Sequence, residues 1–348
     1  MKRLYLSFLL GCLAIVTQAQ TASTYAFSQV SGTYSSQGGT TLFSTWDDNT
    51  TGAAAVPIGF PFWFTGTYYS GLGACANGWV NFGTAAPLNT YTPLSSGSEP
   101  RIAAFAKDLY YLGPGTPNTV TYTTTGTAPT RRFTMQWNNA CNWATTATGP
   151  FNFQINLYES SNVVEVSYGN FSGITSTATT SVQVGITGPT NASFNNRTTT
   201  SNWSSTTAGT FNGATCTQNN TIIPPNGLAF RWTPPPTITV SPATIPAFVT
   251  GVSTTSSSQT FTLQAFGLTS GSVTVTAPAN FEIFNGTAWV TSMTVATQSA
   301  AVGTYINTPI QVRFVAPATT GTFTGNITCS STGATTQNVA VTGNSTLP

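Results

Sequence analysis

The stretch Phe151-Asn152-Phe153-Gln154-Ile155-Asn156-Leu157 decides the fold. Apolar and amide side chains alternate with a period of two, which sends one set to each face of a β-strand. A polar turn, Glu159-Ser160-Ser161-Asn162, follows. Val163-Val164-Glu165-Val166-Ser167-Tyr168 then reads as the return strand. The two runs and their longer polar loop predict a β-hairpin.

The same pattern extends in both directions. Phe60-Pro61-Phe62-Trp63-Phe64 and Trp79-Val80-Asn81-Phe82 read as aromatic strands between glycine turns. Later, Phe261, Leu263 and Ala265 alternate with polar residues, as do Ile310, Val312 and Phe314. Ile327 with Cys329, and Val339 with Val341, continue the series. Helical periodicity is nearly absent, so the fold class is all-β. Pro234-Pro235-Pro236 breaks the pattern and favours an extended spacer. Two antiparallel β-sandwich-like modules in tandem are expected, at 20–233 and 237–344, with 345–348 as a tail. Roughly seven short strands in the second module suit an immunoglobulin-like sandwich.

Met1-Lys2-Arg3, the apolar run Leu4–Val16 and the small residue Ala19 describe a secretory signal peptide over 1–19. Leu9-Leu10-Gly11-Cys12 resembles a lipoprotein box. Its apolar core continues through Leu13–Val16, however, where a lipobox would close. The run is too short to span a bilayer, so no membrane insertion of the mature form is expected. Only 5% of residues are charged, against about 25% in ordinary domains. Without Lys2 and Arg3, basic and acidic residues balance at 7 each. Nucleic acid, which demands clustered phosphate contacts, is therefore not an expected partner. Anionic lipid is excluded on the same ground.

Catalytic chemistry finds little footing. The chain contains no histidine, which removes Ser-His-Asp and Cys-His systems and histidine zinc sites. The cysteines Cys75, Cys141, Cys216 and Cys329 lack paired zinc spacing. Cys141 and Cys216 lie in Asn- and Thr-rich stretches and are the candidate disulfide, while Cys329 reads as a buried small hydrophobe. The carboxylates Asp47, Asp48, Glu99, Asp108, Glu159, Glu165 and Glu282 show no spacing that implies a glycosidase pair. Asp47-Asp48-Asn49 has oxygen ligands suited to Ca²⁺, but it lacks a dedicated loop spacing and reads first as an Asx-stabilised turn. Asp108 could bond a loop backbone or orient a ligand, with the structural role preferred. No cofactor, no metal and no enzymatic activity are expected.

Trp143 and Trp203 sit among Asn, Thr and Ser, a setting in which an aromatic face can stack on a sugar ring. The competing reading has each capping a core edge under a long loop. Trp63, Trp79, Trp137 and Trp289 fall in strand-like segments and are expected in the core. Arg131-Arg132 reads as a solvated strand edge.

Six ordered stretches carry a family resemblance: 56–62, 76–83, 102–109, 133–137, 153–159 and 194–198. They resemble a Bacteroidota secreted surface module exported by the type IX route and, more distantly, the nidogen-like extracellular domain. The stretches 277–283, 311–314, 321–328 and 339–343 resemble a Bacteroidota immunoglobulin-like repeat. Such repeats act as stalks or spacers. After Gly343 no C-terminal sorting domain follows, so either the chain is a fragment or export and anchoring work differently. The resemblance implies a secreted, extracellular or cell-surface structural or adhesive protein. Its first module would present or bind an extracellular glycan or protein surface, and its second would space it. A carbohydrate-binding module of a larger secreted protein is one alternative. A polymerising, self-associating fibre subunit is another, since near-zero charge lowers repulsion between copies.

Overall fold

In the computed structural model, which describes residues 20–111, 118–143, 148–299 and 304–347, the deciding alternation becomes geometry. The signal segment 1–19 lies outside the described residues. Strand Thr148–Tyr158 pairs antiparallel with Val164–Tyr168, setting Ile155 opposite Val166 and Asn156 opposite Glu165. Phe151, Phe153, Ile155 and Leu157 are buried in the core. The expected hairpin is present, and its two faces follow the sequence.

This hairpin sits in the middle of an eight-stranded sheet. From one edge the strands run Ala26–Ser31, Leu228–Thr233, Val164–Tyr168, Thr148–Tyr158, Arg132–Asn142, Thr119–Thr125 and Thr40–Phe43. Leu109–Tyr111 also pairs with Arg132–Asn142. The facing sheet, also eight-stranded, runs Thr207–Ala208, Phe194–Thr198, Thr180–Thr187, Arg101–Ala106, Trp79–Asn81, Thr67–Cys75 and Val56–Phe64, with Cys216–Gln218 added beside Thr180–Thr187. Aromatic rings fill the space between them; Trp137 stacks on Phe153 at 4.9 Å. Two polar ring tips bridge the sheets: Trp137 Nε1 donates to the Ala76 carbonyl (2.9 Å) and Tyr168 Oη to that of Ala104 (2.9 Å). Buried rings thus keep their hydrogen bonds.

The sheet order has a consequence for the segment 32–39. Ser31 and Thr40 end and begin the two opposite edge strands, so the connection must cross the whole sheet. Six gaps of about 4.8 Å make roughly 29 Å, and nine Cα steps reach at most about 32 Å. The segment is therefore a taut belt over the outer face. Its contacts follow the strand order. Gly32 N bonds the Gly227 carbonyl (2.9 Å), Ser35 O accepts from Gln154 Nε2 (2.8 Å), and Gln37 N donates to Gln136 Oε1 (2.9 Å). Gly227 has φ +84° and lies where a Cβ would overlap the Gly32 carbonyl oxygen; only glycine suits that crossing.

Beneath the belt, the outward amides are not solvated. Thr134, Gln136, Gln154, Asn156 and Glu165 are all buried and joined in a cross-strand ladder. Thr134 Oγ1 donates to Asn156 Oδ1 (2.8 Å), Gln154 Nε2 to Gln136 Oε1 (2.5 Å), and Asn156 Nδ2 to Glu165 Oε1 (3.3 Å). Arg231 Nε closes the row on Glu165 Oε2 (2.5 Å). Buried polar groups are tolerated here because they satisfy one another.

The later part of the chain has its own core, from Ile238 to Val341, after the last core residue of the first, Trp232. A six-stranded sheet runs Thr237–Ser241, Gln259–Phe266, Thr304–Phe314, Phe281–Phe284 and Trp289–Val290, with Gln298–Ser299 alongside Thr304–Phe314. A five-stranded sheet runs Phe248–Gly251, Gln337–Thr346, Gly321–Ser330, Ser272–Thr276 and Ser292–Ala296. One pair, Phe248–Gly251 with Gln337–Thr346, is parallel. The whole is all-β sandwich-like architecture, and no α-helix occurs among the described residues.

Candidate functional site

The turn holding Asp47 and Asp48 is fixed by backbone and amide bonds. Asp47 N donates to Asn49 Oδ1 (3.1 Å), a side-chain bond that runs back two residues, in the reverse sense to the Asx turn that the sequence suggests. Ala76 N bonds Asn49 O (2.8 Å), and Tyr111 N bonds Trp46 O (3.0 Å). Buried Asn77 acts as a staple: its Nδ2 reaches Asp48 Oδ1 (3.1 Å) while its Oδ1 accepts from Leu109 N (2.8 Å). These bonds bring the turn against Asp108, one residue before strand Leu109–Tyr111.

Asp47, Asp48 and Asp108 consequently meet, with one oxygen from each lying within 4.8 Å of the others. Asp47 and Asp48 are exposed and Asp108 is half-buried. Desolvation, then the neighbouring Asp48 charge, raises the Asp47 pKa above its ordinary value. Asp108 is raised by desolvation and by the charges of Asp48 and Asp47, against a lowering from Lys107. This is like-charge crowding of carboxylates. Among the described residues, these three are the side chains that could hold a hard cation through oxygen.

Trp143 lies at the same corner. Its backbone N donates to the Asp108 carbonyl (2.9 Å), and its side chain is 58% exposed. Trp203, by contrast, is 1% exposed. It stacks against Phe105 at 5.8 Å and donates Nε1 to the Thr217 carbonyl (3.0 Å). The sugar-stacking reading of Trp203 is therefore corrected. It is a core ring, with its one polar atom satisfied by backbone.

Other expectations change as well. Cys141 and Cys216 are separate buried thiols and not a disulfide. Cys141 belongs to the strand Arg132–Asn142 and Cys216 to Cys216–Gln218, which lie in opposite sheets. Burial pushes the Cys141 thiol up to about 11 and the Cys216 thiol up to about 12. Arg131 is not a solvated edge. Its Nε and Nη2 grip the two oxygens of Glu159 (2.8 and 2.6 Å), a bidentate pair. Trp79 and Trp137 are core as expected, whereas Trp63 and Trp289 are half-buried. Trp289 lies under the Arg313 guanidinium, 4.4 Å from its centroid.

Glu165 pairs with Arg231 and Glu282 with Arg313. Glu99 accepts from Asn81 Nδ2 (2.7 Å) and Ala85 N (3.0 Å). Four carboxylates thus serve structure. The other three form the corner beside Trp143.

A family model described as NIDO related matches residues 24–234, the region whose motifs resemble the nidogen-like domain. No curated protein matches the chain in sequence. Among solved structures, the CooA pilin subunit from enterotoxigenic Escherichia coli is 12% identical, with a TM-score of 0.23, over 33% of this chain and 99% of its own. The ASH/PapD-like domain of human CEP192 is also 12% identical, with a TM-score of 0.19, over 32% of this chain and 86% of its own. Neither likeness is close enough to bear on fold or function.

Proposed function

Because the chain belongs to the NIDO-related family across residues 24–234, we propose that it is a secreted, non-catalytic extracellular protein of structural or adhesive type. In this reading the first sandwich makes the contact and the second spaces it from its attachment. The observation that carries the reading is the exposed side chain of Trp143, whose backbone N–H bonds the carbonyl of Asp108. An aromatic face left in water suits recognition of a partner surface.

A second reading, a carbohydrate-binding module, draws on the same residue, since a lone exposed indole is suited to a sugar ring. Parallel arrays of extracellular glycans and matrix proteins separate the two. Binding confined to glycans selects the second reading; binding to protein surfaces selects the first. Either signal should fall at least tenfold in Trp143→Ala, about 1.4 kcal/mol. Turnover of a polysaccharide or peptide by the wild type would overturn the non-catalytic assignment.

A further inference from the structure

We propose that the groove between the two sandwiches is a binding site for a single neutral sugar ring. The groove is partly open to solvent and holds about 130 Å³. A closed cavity of about 150 Å³ holds benzene, so one face of a pyranose ring can enter while its remaining substituents reach solvent. Both modules build it: Tyr68, Glu159, Ser160 and Asn162 from the first, Gln264 and Asn307 from the second.

The chemistry of the lining selects the ligand class. Tyr68 Oη donates to Gln264 Oε1 (3.0 Å), and Gln264 Nε2 donates to Asn307 Oδ1 (3.4 Å). That chain uses the Asn307 oxygen and leaves its amide protons for another acceptor. Ser160 Oγ donates to the Pro129 carbonyl (2.8 Å) and keeps its lone pairs. Glu159 is neutralised in place by the Arg131 fork, so the groove offers neither a free cation nor a free anion. What remains is amides and hydroxyls beside an aromatic ring, the complement of a neutral polyol with an apolar face.

The inference does not rest on Trp143, and its test keeps the two apart. Full-length protein is titrated with methyl glucopyranoside, methyl N-acetylglucosaminide and methyl glucuronide by ligand-observed NMR. The expected result is saturable binding of a neutral glycoside, with the glucuronide at least tenfold weaker. Asn307→Ala should weaken the neutral glycoside about tenfold with its unfolding midpoint unchanged, and Trp143→Ala should leave this binding intact. Absence of saturable binding by both neutral glycosides would overturn the proposal. So would Asn307→Ala and Gln264→Ala proteins that bind like wild type.

Discussion

The outer face of the hairpin sheet and the outer face of the second sandwich are written in the same code, and they mean opposite things. In the first, Gln136 and Gln154 point away from the core yet are buried and bonded to the belt 32–39, and Asn156 is buried on the same face. In the second, Thr274, Thr276, Ser292 and Thr294 also point away from the core, and they are exposed. Thr276 and Ser292 bond each other at 3.2 Å in full contact with water. The residue class is similar; the energetic weight is not. A polar atom in water exchanges one hydrogen bond for another at little net gain, whereas a buried one loses its partner at full desolvation cost.

The belt supplies the largest way to break this comparison. Its reach barely exceeds its span, so deleting Ser36 should pull it off the amide ladder. Stripping partners from two buried amides costs about 3 kcal/mol or more. Inserting one glycine between Gln37 and Gly38 only lengthens a loop, at under about 1 kcal/mol. Urea unfolding of the two variants should show this asymmetry. Equal midpoints would mean that the belt has slack.

Next in size, Asn156→Ala should lose about 1–3 kcal/mol, because Thr134, Glu165 and Ser167 all bond its amide. Its counterpart in the second sandwich, Thr274→Ala, should stay within about 0.5 kcal/mol. Chemical denaturation of both tests the contrast, and similar losses would dissolve it.

Ionisation gives a smaller effect. Burial opposes the charge on Glu159, but the side-chain and backbone hydrogen bonds from Arg131 outweigh it and hold the carboxyl below its ordinary 4.5. The sign follows: this stability is present above pH 4.5 and is lost as pH falls through the lower folded value. Because the pair is partly exposed, its worth is about 1 kcal/mol or less. In Glu159→Gln, the acid limb of the stability curve should flatten below pH 4.5. An unchanged limb would remove the pair from the account.

The smallest shift belongs to the carboxylate corner. Asp47→Asn relieves like-charge crowding around Asp108 and should raise stability by a few tenths of a kcal/mol, an effect that fades in high salt. Thermal melts at low and high ionic strength measure it.

The hairpin was legible because alternation is local: seven residues from Phe151 to Leu157 contain it. The belt was not. Its burden depends on Ser31 and Thr40 ending on opposite edges, a fact of sheet order that no local window carries. The same holds for Asp108, which joins Asp47 and Asp48 through the Asn77 staple and the Tyr111–Trp46 backbone bond. Trp143 and Trp203 share similar neighbours in sequence, yet one is exposed and the other is core. Composition around a tryptophan does not report what packs on it from distant strands; Phe105 and Phe230 do that for Trp203.

Surface attachment tests the central claim most directly. Beads coated with wild-type protein or with Trp143→Ala are allowed to settle on surfaces bearing the partner identified by array, and detachment under flow is scored. The account predicts that wild-type beads hold, that Trp143→Ala beads wash away, and that both proteins unfold at the same denaturant concentration. Equal retention of the two, or wild-type beads that never attach, would contradict it.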